Sequence, residues 1–120
     1  MITDSLKRET VKELKMLIHE LVEGNIASIV SSGFSEITES EIREELRYYP
    51  GKMTLPPNAA YQNWEGEIDI YEVGYKPPPN YEGTINLYYD GEQSDLTLKF
   101  NIYVENENEI LIKIRDLDVM

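Results

Sequence analysis

The chain predicts an α+β domain, with two or three N-terminal helices packed on one face of a four-stranded antiparallel meander. Three observations carry that expectation. Leu96, Leu98, Phe100, Ile102 and Val104 are apolar at every second position, with Thr97, Lys99, Asn101, Tyr103 and Glu105 between them. A period of two over ten residues marks a strand with one buried and one wet face. Asp90-Gly91 before that run and Asn106-Glu107-Asn108 after it read as hairpin turns. Residues 1–49, by contrast, show helical spacing. Sheet-forming residues occupy 64–119, so the whole of 1–120 reads as one domain with one core.

The first helix begins near Thr3-Asp4-Ser5, whose side chains accept hydrogen bonds from unpaired backbone N–H groups. Val11, Leu14, Leu17, Ile18, Leu21 and Val22 make one apolar stripe, and Gly24-Asn25 closes it. A short second helix spans Ile26 to Ser31 and stops at Gly33. Phe34 and Ile37 are expected to point into the core. Thr38-Glu39-Ser40-Glu41 is a capping box that opens a third helix, with Ile42, Leu46 and Tyr49 on one side. Pro50-Gly51 ends it.

Residues 50–63 read as an ordered loop in which Leu55, Ala59, Ala60 and Tyr61 pack. Trp64 opens the first strand, which runs to about Val73. The stretch from Lys76 through Pro77-Pro78-Pro79 to Asn80 lacks ladder donors and reads as a stiff connection. Alternation turns Glu67, Asp69 and Tyr71 outward on the first strand, and Thr84, Asn86 and Tyr88 on the second. It does the same for Thr97, Lys99, Asn101 and Tyr103 on the third, and for Leu111 and Lys113 on the fourth.

The formal net charge is −12, and it is unevenly placed. Residues 1–16 hold Lys7, Arg8, Lys12 and Lys15 against Asp4, Glu9 and Glu13, and the remaining chain holds twenty acids and seven bases. Such a field repels nucleic acid and anionic membranes and attracts basic partners, although acidity also serves plain solubility. There is no cysteine, which excludes disulfides, thiolate metal sites and a thiol nucleophile. No signal-like apolar core and no run of membrane-spanning length is present, so a cytoplasmic location is expected.

No catalytic constellation is evident, and no enzyme activity or cofactor is expected. The single histidine, His19, has Glu20 and Glu23 nearby but no recognisable nucleophile, and reads as a surface residue. Glu65, Glu67, Asp69 and Glu72 cluster on a strand, yet lack the glycine-assisted turns of hard-cation loops. Asp90 to Asp95 lacks calcium-loop spacing and reads as a solvated turn. The tyrosines carry the binding hypothesis. Tyr71, Tyr88 and Tyr103 are expected to form an aromatic strip on the outer sheet face. With Glu67, Asp69 and Asp90 they make a candidate surface for a basic protein partner. Simple cross-strand packing is the competing role for these rings.

Leu55-Pro56-Pro57, the Trp-led strand, Ser94-Asp95-Leu96-Thr97-Leu98 and the closing Ile114 to Val119 together carry a family likeness. Over residues 50–119 the chain resembles small bacterial immunity proteins of contact-dependent growth inhibition systems. That resemblance implies a cystatin- or NTF2-like fold and a protein that neutralises a cognate toxin by occlusion, the toxin being a basic nuclease. It carries over no catalytic or contact residue. The alternative is an NTF2-like small-molecule binding or isomerase-like protein, which would need a concave apolar pocket between helix and sheet with an acid or histidine inside.

Overall fold

The computed structural model describes residues 2–73, 79–106 and 108–119. Three helices come first: α1 (Asp4–Glu23), α2 (Ile26–Ser31) and α3 (Glu39–Tyr48). Both expected helix starts are capped as the sequence requires. The Thr3 side chain accepts from the Leu6 N–H at 3.1 Å. Thr38 and Glu41 form the reciprocal capping box. Gly24 closes α1 at φ +79°, where a side chain would be strained.

The sheet has five antiparallel strands rather than four: β1 (Met53–Thr54), β2 (Ile68–Glu72), β3 (Tyr81–Tyr89), β4 (Glu92–Asn106) and β5 (Glu109–Val119). β2, β3, β4 and β5 are the four expected strands, paired antiparallel in succession. The extra strand β1 is two residues long and pairs with Tyr88 and Tyr89 at the end of β3, while β2 pairs with the start of β3. Two residues are too few to show a period, which is why β1 escapes a sequence reading. Residues 50–63 also hold a 3₁₀ turn, Asn58–Gln62, which buries Ala60 and Tyr61; Leu55 and Ala59 stay exposed.

Trp64 does not open β2. The Asn63 carbonyl accepts from the N–H groups of Gly66, Glu67 and Ile68, so the chain turns tightly here and the strand starts four residues late. The Asp90-Gly91 hairpin has positive φ at both residues, +53° and +80°, as a two-residue type I′ turn demands. The expected connection from Lys76 through the three prolines lies mostly outside the described residues.

The core follows the period of two. Ile85, Leu87, Leu98, Phe100, Ile102, Ile112 and Ile114 join Leu14, Ile18, Ile26, Ile29 and Ile42 of the helices in one buried cluster. Phe100 is fully buried and lies over Gly83, its cross-strand partner; a Cβ there would come within 2.4 Å of the ring. Phe34, expected inside, is 38% exposed, and Ile37 is half-buried. Their segment serves another purpose. The Ile114 N–H donates to the Phe34 carbonyl at 2.9 Å, and the Glu36 N–H donates to the Ile114 carbonyl at 2.8 Å, so residues 34–36 pair with the outer edge of β5.

Candidate partner-binding surface

Strand register sets which outward side chains meet. Asp69, Thr84, Lys99 and Asp116 form one row across β2 to β5, and Tyr71, Glu82, Asn101 and Lys113 form the next. Tyr103 stands opposite Leu111. A register shift between Lys99 and Phe100 leaves Arg115 as an extra residue in β5.

Much of this face is bonded to itself. Glu36, brought to the sheet edge by the pairing at Ile114, accepts from Asn101 Nδ2 at 2.7 Å and from the Tyr103 hydroxyl. Burial, with the Glu36 carboxylate beside it, pushes the Tyr103 phenol up from its ordinary value. Lys113 Nζ lies 5.4 Å from the Tyr103 ring centroid. Glu82 faces Arg115 at 3.6 Å, and Asp118 faces Lys99 at 3.4 Å. Asn101, expected wet, is buried.

The six residues singled out in the sequence therefore do different things. Glu67 accepts from the Tyr88 hydroxyl at 2.5 Å and from Asn63 Nδ2 at 3.1 Å. Tyr88 is buried rather than exposed, and its phenol is pushed up to about 12, chiefly by the hydrogen bond to Glu67 and then by burial. Asp90 is exposed but structural. Its carboxylate accepts from the Lys52 N–H at 3.1 Å, and its own N–H donates to the Lys52 carbonyl at 2.8 Å. Tyr103 is tied to Glu36. Only Asp69 and Tyr71 keep side chains without a polar partner among the described residues, and Tyr71 is 43% exposed.

The expected tyrosine strip is not continuous. Tyr71 pairs with Glu82 near the start of β3, whereas Tyr88 pairs with Thr54 and Gln93 at its far end. Glu36 was missed because it precedes the sheet in sequence and reaches it only through the Ile114 pairing. His19 is exposed beside Glu20 and Glu23, at 3.8 and 3.7 Å. Among the described residues, no group of three His, Cys, Asp or Glu is placed to hold a metal ion, and no helix is long and apolar enough to cross a membrane.

A family model described as a domain of unknown function, DUF7668, matches residues 7–120. The chain belongs to the DUF7668 family. The DUF7668 match runs from α1 through β5, so helices and sheet form one family unit. No curated protein and no solved structure matches the chain significantly.

Proposed function

We propose that this domain is a non-catalytic binding protein that neutralises a basic protein, in the manner of an immunity protein occluding a toxin nuclease. The observation that supports it most is the pair Asp69 and Tyr71, two residues apart on β2 and without side-chain polar partners among the described residues. Around them on the outer face, Glu82, Glu36, Asp116 and Asp118 outnumber Lys99, Lys113 and Arg115. A net charge of −12 steers a basic partner toward the domain, and an exposed tyrosine supplies contact area at low entropic cost. The arrangement we infer is cystatin- or NTF2-like, with the three helices as one layer on the opposite face, and the site of action is the cytoplasm.

The test uses the purified product of the reading frame immediately upstream. It should bind in calorimetry, and Asp69→Lys with Tyr71→Ala should weaken binding at least about tenfold, since central anchors carry ~1–3 kcal/mol each. A complex that forms with unchanged affinity for the double variant overturns this surface, and no complex overturns the reading.

One observation favours a second reading, a small-molecule binder. A cavity of about 280 Å³ lies between Leu17, Ile29, Phe34 and Ile112, with Glu13 and Glu20 on its rim. Burial pushes the Glu13 carboxyl up, with Glu9 adding to the rise and Lys12 opposing it. The volume is at the small end for a ligand site, which run to about 300–1,000 Å³, so partner binding is the stronger case.

A further inference from the structure

The bases concentrated in residues 1–16 are brought together by the fold. Lys7, Arg8, Lys12 and Lys15 line one wall of an open groove of about 700 Å³ between α1 and the segment 58–64. They span about 12 Å of helix at 1.5 Å per residue. In a chain with 23 acids, none of the four has a carboxylate within ion-pair distance among the described residues. The opposite wall is aromatic. Lys7 Nζ lies 4.8 Å from the Trp64 ring centroid, and Lys15 Nζ lies 5.3 Å from that of Tyr61. Lys15 Nζ also donates to Asn58 Oδ1 at 3.3 Å.

We propose that this groove binds a compact polyphosphorylated ligand of nucleotide size. Its phosphates lie along Lys7, Arg8, Lys12 and Lys15. Its base lies on the Trp64 ring, where the Lys7 ammonium rests in the free protein. Lysines are mobile point charges suited to phosphate, and a ring vacated by one offers a stacking platform. The groove volume falls within the range of about 300–1,000 Å³ usual for small-molecule sites.

The rest of the chain selects against extended polyanions. A long nucleic acid or an anionic bilayer would carry charge past the patch into a strongly acidic field, whereas a compact ligand keeps all its charge within about one screening length of 8–10 Å. An acidic peptide spreads one carboxylate per ~3.3 Å of extended chain and brings no ring for the aromatic wall. The groove adjoins Asp69, which shares a smaller pocket with Lys7 and Trp64, and its test does not depend on a protein partner.

Trp64 is the only tryptophan in the chain, so tryptophan-selective fluorescence reports on this groove rather than on the nine tyrosines. Titrating the full chain with ATP should give a saturable change, confirmed by calorimetry, that weakens as salt rises. Arg8→Glu with Lys12→Glu should weaken it at least about tenfold, because each exposed charge contact contributes a several-fold factor. The charge-keeping pair Arg8→Lys with Lys12→Arg should retain it. Both residues are exposed, and circular dichroism checks that the variants fold. No saturable response to ATP by either method up to about 5 mM overturns the proposal. So does ATP binding that ignores the charge reversal, or a polyglutamate peptide that binds more tightly than ATP. Tripolyphosphate binding as tightly as ATP would overturn the nucleotide assignment by removing any part for the rings.

Discussion

The outer sheet face and the α1 groove use charge in opposite ways. On the sheet face, carboxylates are already engaged: Glu36 holds Asn101 and Tyr103, Glu82 faces Arg115, and Asp118 faces Lys99. In the groove, four cations stand together, and none has a carboxylate paired to it among the described residues. A charge total counts both kinds alike. What decides whether a charged side chain is available to a ligand is whether the fold has already given it a partner.

The comparison first depends on the two sheet faces being distinct. Phe100→Ala should cost about 3–5 kcal/mol by denaturant midpoint, because the fully buried Phe100 ring fills the space over Gly83. Equal costs for Phe100→Ala and for Lys99→Ala on the other face would show that the faces are misassigned.

Next, Glu36→Ala should cost about 1–3 kcal/mol, since it leaves buried Asn101 and the Tyr103 hydroxyl without their acceptor. The exposure of Glu36 itself points to the lower end of that range. Asn101→Ala should lose a similar amount. If both variants are neutral, the outer face is less self-bonded than its geometry indicates.

A smaller effect follows from the tyrosines. In the folded state Tyr61, Tyr88 and Tyr89 are each pushed up to about 12 from 10.0. The unfolded chain therefore loses these protons first as pH rises. Their contribution is fully present below pH 10 and is lost as pH climbs toward 12. Tyr88→Phe should lower stability at neutral pH by about 1 kcal/mol for the lost bond to Glu67, and make the alkaline loss shallower. Denaturant midpoints measured across that window check it; a slope unchanged by Tyr88→Phe contradicts it.

The smallest effect belongs to the groove. Arg8→Ala and Lys12→Ala should change stability by no more than about 0.5 kcal/mol, because among the described residues neither has a hydrogen-bond or ion-pair partner to lose. A large loss at either position would place these cations in the same class as Glu36.

The parts of the fold that were legible are those governed by neighbours in sequence. The alternation from Leu96 to Ile102 placed the core face, Thr38 and Glu41 announced α3, and Asp90-Gly91 announced the hairpin. What stayed hidden depends on contacts across long separations. The 65-residue gap from Glu36 to Asn101 leaves no local trace. Nor does the register shift that sets Arg115 apart, or the cover that buries Tyr88. Val104 keeps the alternating pattern yet is 40% exposed, because it extends past the end of the core. The clustering of bases in residues 1–16 was visible; that segment 58–64 supplies the facing wall was not.

The short pairing of residues 34–36 with Ile114 has a consequence for how molecules meet one another. An open sheet ends in a row of free N–H and C=O groups, a template on which a second chain can add a strand and begin a fibre. Both backbone groups of Ile114 that such a strand would need in mid-edge are already occupied. An incoming chain can pair only with the parts of β5 to either side. The linker between α2 and α3 thus interrupts this edge of the sheet at its middle. Variants that detach it should expose the middle of this edge to strand addition, which light scattering across a concentration series would detect.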